Sequence, residues 1–291
     1  MQIDVLGILD VKENGVSIAP TAPKPRQVLA LLALHADQVV PVSALIDELW
    51  AGQPPRSART TLQTYVLQLR DLIGHALEQE APAAEPAPAP RRSAKDVLTT
   101  APGGYMLVSG GGTSDVREFE RLAGMGYRAI DAGDFKDASR LLGEALALWT
   151  GSALADVQIG ARLEMEAKRL EESRLCALDQ RIEADLRLGR HRELLAELTV
   201  LTSRYWSHEN LHAQFMLALH RSGRRGEALD VYHRLRSTLV RDLGLEPSAR
   251  LRRLQQSILV AAPETPLTAE HQMPATVPVS SARVGSGARS A

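Results

Sequence analysis

The chain has 291 residues, enough for two ordinary domains that each bury a core. Its 34 Lys and Arg are matched by 35 Asp and Glu, so it is no polycation, and any contact with nucleic acid has to come from a local patch. A single cysteine, Cys176, excludes an internal disulfide and a multi-cysteine zinc site. No run of 18 apolar residues offers a membrane span, and the first residues lack a basic-then-apolar leader, so the expectation is a soluble, cytoplasmic chain.

In chain order, Ile3, Val5, Leu9 and Val11 alternate as on one face of a strand. Asn14-Gly15, two residues that tolerate positive φ, turns the chain into a second strand at Val16-Ser17-Ile18. From Pro25 the period becomes helical, and Val28, Leu31, Leu32 and His35 give a helix over 24–36. Ser43 is placed to cap a second helix with Leu45, Ile46, Leu49 and Trp50 on its core face, ended by 52–55. A third helix spans 57–74 with the stripe Leu62, Val66, Leu69 and Ile73. Its opposite arc carries Thr60, Thr64, Leu67, Gln68 and Asp71, flanked by Arg59 and Arg70. From Arg56 through Arg70 there are three arginines and no acid.

Residues 75–95 are expected to form a flexible Ala/Pro-rich insertion. Val97 to Thr100 and Tyr105 to Val108 then bracket Pro-Gly-Gly as a terminal hairpin. This order describes a winged helix-turn-helix domain over 1–110, with Gly110 to Gly112 as a hinge.

From Asp115 nearly everything has helical periodicity, with helices at 115–132, 134–149, 161–188, 190–205, 208–221, 225–240 and 247–260. Three breaks look alike, at Gly133, Gly189 and Gly223, and the last two lie 34 residues apart, the period of tetratricopeptide helix pairs. The reading is an all-α, tetratricopeptide-like domain over 113–260 and a Pro-rich disordered tail over 261–291. The fold class is thus mostly α, with a small β-sheet and a wing hairpin in the first domain.

Short hydroxyl and amide side chains on an exposed helix face suit base edges, and Arg suits phosphate or guanine. Arg91, Arg92 and Lys95 lie just before the hairpin, and Thr99, Thr100 and Tyr105 carry hydroxyls able to donate to phosphate. With so few cations one copy binds DNA weakly, which points to two or more copies on repeated sites. No G-x-x-x-x-G-K-[ST] occurs, the histidines lack zinc-ligand spacing, and no carboxylate pair stands out for catalysis. No metal, cofactor or enzymatic activity is therefore expected. The rivals are a helical-repeat scaffold whose first domain binds protein, which would give no mobility shift with promoter DNA, and an ATP-dependent regulator, which would bind nucleotide.

The stretches "PRQVLALLALHADQVVPVSALIDELW", "PPRSARTTLQTYVLQLRDLIG", "APGGYMLV" and "LHAQFMLALHRSGRRGEALDVYHRLRSTLVRDLGLEPSARLRRLQQSIL" resemble the Streptomyces antibiotic regulatory protein family over residues 1–260. The resemblance implies an OmpR-type winged helix followed by a bacterial transcriptional activation domain, in a small stand-alone type without the nucleotide-binding region of large members. It implies binding to direct repeats near the −35 region and contact with RNA polymerase holoenzyme. The positions matching Thr60, Thr64, Tyr65, Gln68 and Arg70 are then the ones that face DNA. Asp71 stands where relatives often carry a basic residue. The residues expected to touch DNA are Arg59, Thr60, Thr61, Thr64, Tyr65, Gln68 and Arg70 on the helix, and Arg91, Arg92, Lys95, Thr99, Thr100 and Tyr105 around the wing.

Overall fold

The computed structural model describes residues 1–79 and 92–260. The tail at 261–291, Arg91 and most of the expected insertion lie outside them. The ends of that insertion do not fit the expectation: 75–78 are helical, and Ser93 opens a short helix with a capping box closed by Asp96.

The expected first strand is two. β1 (Gln2–Asp4) and β2 (Asp10–Glu13) pair antiparallel, and β2 turns through Asn14 and Gly15, both at positive φ, into β3 (Val16–Ser17). Ile3, Val5, Leu9 and Val11 are all buried, but so is Leu6, because 5–9 leaves the sheet to pair with a distant segment. α1 (Pro23–Leu34) opens on prolines, which suit a first turn whose N–H groups have no helical partner. After β4 (Val40–Pro41) comes α2 (Val42–Trp50), with Pro41 rather than Ser43 at its N-cap. α3 (Ala58–Glu78) runs past Gly74, since Ala76 and Leu77 extend its apolar stripe. α4 (Ala94–Val97) leads into the hairpin β5 (Leu98–Ala101) and β6 (Gly104–Leu107), and β6 also pairs with β4.

The glycine run is not a free joint. An added Cβ on Gly112 would meet the Met1 carbonyl oxygen at 1.7 Å, and β7 (Thr113–Ser114) joins β1 in parallel. Four carboxylates then stitch the two halves. Asp115 accepts from the Val5 and Leu6 amides, and Asp156 from the Leu9 amide and the Arg26 guanidinium. Asp37 accepts from Ser109 and Arg117, whose hydrogen bonds outweigh the cost of burial and hold its carboxyl below the usual range. Glu48 accepts from the amides of Gly160, Arg162 and Leu163. The apolar cores interpenetrate in the same way. Leu154, Val157 and Leu163 belong to the first core, and Leu6 packs in the second with Phe119 and Trp149.

The second half consists of α5 (Asp115–Asp131), α6 (Phe135–Ala147), α7 (Ala161–Arg187), α8 (Leu195–Arg204), α9 (Glu209–Arg221), α10 (Arg225–Leu243) and α11 (Ala249–Val260). α8 starts later than expected because 190–194 form turns. The three breaks share one geometry. Gly133, Gly189 and Gly223 have φ of 76°, 79° and 77°. In each, the glycine amide donates three residues back and the following amide five back, the Schellman closure that satisfies a helix's last carbonyls. α7, about 40 Å long at 1.5 Å per residue, packs on α5 and α6 and, further along, on α9. Gly126 lies where α5 meets α6, and a Cβ there would sit 2.6 Å from Leu142.

Candidate nucleic-acid interface

α3 is fixed by its stripe. Leu62, Val66, Leu69 and Ile73 are buried together with Ala58 and Ala76 against α1 and α2. The spacing that buries these residues turns Arg56, Arg59, Thr60, Gln63, Thr64, Leu67 and Gln68 outward, and all seven are exposed. Gln63 was not among the residues picked from the sequence, although it stands one helical turn from both Thr60 and Leu67. Leu67, 56% exposed, adds an apolar side chain to this otherwise polar ridge. Thr64 Oγ1 donates to the Thr60 carbonyl, which holds its methyl and hydroxyl in one rotamer.

The start of α3 adds charge. Ser57 makes no side-chain cap and the first turn contains no acid. The Ala58 amide is taken by the Pro55 carbonyl, which leaves the Arg59 and Thr60 amides and the positive end of the helix dipole beside Arg56 and Arg59. This arrangement suits an anion such as a backbone phosphate. Asp71, also exposed, lies beyond Gln68 along the same face.

Some expected contacts are committed elsewhere. Arg70 is half-buried. Its Nε and Nη2 donate to the Leu98 carbonyl at 3.1 and 2.8 Å, and Nη2 also donates to Thr100 Oγ1 at 2.8 Å. It therefore ties α3 to the hairpin instead of projecting from it. Arg92 donates to the Val108 carbonyl and pairs with the buried Glu13. Tyr105 is only 8% exposed and lies in the core, because on β6 it shares a face with the buried Leu107. Thr99 donates to the Met106 carbonyl at 3.3 Å. Tyr65 and Thr61 are half-buried on the flanks of α3, whereas Lys95 and Thr100 are exposed at the hairpin. The structure thus brings Arg59, Thr60, Thr64 and Gln68 onto one open ridge, with Lys95 and Thr100 beside it.

No group of His, Cys, Asp and Glu side chains among the described residues is placed to hold a metal ion, and no helix among them is long and apolar enough to cross a membrane. A three-helix unit with a packed hairpin, an uncapped cationic helix start and a ridge free of acids from Arg56 to Gln68 is the architecture of a winged-helix DNA-binding protein.

Comparison with known proteins gives the same class. Residues 18–82 match the C-terminal domain of transcriptional regulatory proteins, and residues 114–259 match the bacterial transcriptional activator domain. The regulatory protein DnrI of Streptomyces peucetius is 56% identical over 263 residues, covering 90% of this chain and 93% of that one. The regulatory protein AfsR of Streptomyces griseus is 33% identical over 289 residues, of which this chain spans only 28% of the length. The solved structure of Mycobacterium tuberculosis EmbR in complex with a low affinity phosphopeptide superposes with a TM-score of 0.77 at 34% identity, covering 89% of this chain and 64% of EmbR. The chain belongs to the Streptomyces antibiotic regulatory protein family of DNA-binding transcription activators.

Proposed function

We propose that the chain activates an antibiotic or other secondary-metabolite gene cluster by laying the exposed ridge of α3 in the major groove of promoter DNA. The observation that carries this reading is the ridge itself: Arg59, Thr60, Gln63, Thr64, Leu67 and Gln68 lie open while the opposite face is locked in the core. Gln pairs bidentately with adenine, Thr donates or accepts at either base type, and an exposed Leu meets the thymine methyl. Arg56 and Arg59 with the free amides of the first turn hold phosphate on one side, and Lys95 and Thr100 flank the ridge on the other.

Few cations serve each copy, so binding draws on two or more copies side by side on direct repeats near the −35 element, from which the helical half contacts RNA polymerase. The chain works by binding rather than catalysis, in the cytoplasm that holds the chromosome. Mobility shift with promoter fragments from the neighbouring biosynthetic genes tests the reading. The wild type retards a fragment carrying repeats, and the Thr64→Ala/Gln68→Ala double variant loses roughly 2–6 kcal/mol, the value of two specific base contacts. An unchanged shift with the double variant overturns the assignment of α3.

A further inference from the structure

Outside the DNA-facing ridge, α6, α7 and α8 enclose a half-open cleft of about 380 Å³. α7 forms its floor with Leu175 and Leu178, α6 one wall with Leu146, and α8 the other with Leu201 and Tyr205. All five side chains are half-buried rather than covered. The volume falls in the range of small-molecule sites, which are mostly apolar with a few fixed polar groups.

The polar groups here are mainly cationic. Arg174, Arg181 and Arg204 line the cleft against a single lining carboxylate, Glu197. Two of the arginines are already held. Arg181 pairs with Asp185 and Glu197 at 3.1 and 2.6 Å, and Arg174 lies over the Trp149 ring at 4.7 Å and donates to the Gly151 carbonyl. Arg204 differs. It is exposed, lies over the Tyr205 ring at 5.4 Å, and has no carboxylate within ion-pair distance among the described residues. A planar guanidinium set above an apolar trough is suited to a carboxylate attached to an apolar body. Gly143 leaves the α6 wall bare: a Cβ added there meets no atom within 4 Å, so backbone stands open to the cleft.

We propose that this cleft is a binding site for a small apolar organic acid, its hydrocarbon or aromatic body on the leucines of α6, α7 and α8 and its acid group on Arg204. The site lies on the helical half and does not depend on how α3 meets DNA, so either reading can fail without the other.

The test uses the full chain and 8-anilino-1-naphthalenesulfonate, an aromatic body bearing one acid group, followed by fluorescence. Decanoate and decanol serve as competitors with the same apolar chain, with and without charge. The wild type binds the probe saturably at one site, and decanoate displaces it at a concentration at least tenfold below decanol. Gly143→Phe fills the cleft at a strain-free helical position, keeps the native circular dichroism and melting transition, and weakens probe binding at least tenfold. Arg204→Gln changes an exposed side chain that no ion pair holds. It raises the decanoate concentration needed at least fivefold and leaves decanol unchanged. Met165→Ser removes an apolar side chain exposed elsewhere on α7 and leaves probe binding as it was. Unsaturable binding overturns the proposal. So does equal displacement by decanoate and decanol, or binding that survives Arg204→Gln unchanged, and this last comparison decides the matter even if Gly143→Phe does not fold.

Discussion

Glu48 gives the most direct test of how the two halves are joined. It lies on α2 of the DNA-binding half, is 2% exposed, and reaches the first turn of α7. One carboxylate oxygen accepts from the Gly160 amide at 2.5 Å and the Gln27 side-chain amide at 2.8 Å. The other accepts from Arg162 and Leu163 at 2.9 and 3.1 Å. These backbone amides are among the four that a helix start cannot satisfy by itself, and a negative charge there also meets the helix dipole. Glu48 is therefore an N-cap supplied from another domain. Glu48→Ala leaves the Leu163 amide, which is buried, and the Gly160 and Arg162 amides, which are partly so, without their charged acceptor, while Gln27 keeps its bond to the backbone carbonyl of residue 48. At roughly 1–3 kcal/mol for each lost partner, less where water can reach, the cost is about 3–5 kcal/mol. At about 2–4 °C per kcal/mol for a fold of this size, Tm falls by roughly 6–20 °C. Differential scanning calorimetry measures this directly, and the single wild-type transition is expected to split as the halves uncouple. Glu48→Gln, which keeps the shape and one acceptor oxygen, recovers part of the loss. A drop below about 2 °C for Glu48→Ala would show that the α2–α7 contact contributes little and would refute this account of the junction.

Arg70→Ala removes the tie between α3 and the hairpin and leaves the Leu98 carbonyl without its donor. Chemical denaturation should show a loss of about 1–3 kcal/mol, and hydrogen exchange at 98–107 should quicken, whereas direct loss of a DNA contact would leave both unchanged. His212 is 9% exposed, and burial pushes its pKa below the ordinary value, against the pull of its hydrogen bond to the Trp206 carbonyl. The unfolded chain then takes up the proton first. The stability His212 contributes is complete above the unfolded pKa of about 6.5 and is lost as pH falls below it, with a slope of up to about 1.4 kcal/mol per pH unit that His212→Leu should flatten in urea titrations at stepped pH.

Much of the architecture was legible because it is local. The α3 stripe, the Asn14-Gly15 turn and the three glycine breaks each follow from a few neighbouring residues whose periodicity or φ tolerance admits one conformation. The side chains of the site were less so. Periodicity places Arg70 on the flank of α3, but whether it reaches outward or into the hairpin depends on a carbonyl 28 residues away. Tyr105 could have been placed, since it stands two residues before Leu107 on one strand and so shares its buried face. The junction had no local sign at all. Glu48, Asp115 and Asp156 look like ordinary surface acids in the sequence, and their partners lie more than a hundred residues distant. The same is true of Leu6, whose burial comes from α5 and α6 rather than from the neighbouring sheet.

That stitching bears on how the chain is made. The first half leaves the ribosome with the Val5, Leu6 and Leu9 amides unpartnered and with part of its core still to be synthesised. The amides find their acceptors only once Asp115 and Asp156 have emerged, and the core is complete only with Leu163. At about 5–20 residues per second this wait lasts several seconds, during which apolar surface stands open. Cutting at the glycine run would make that interval permanent, so a fragment ending there is expected to be sticky rather than an isolated DNA reader. A partly made copy is then not expected to compete with complete copies for promoters.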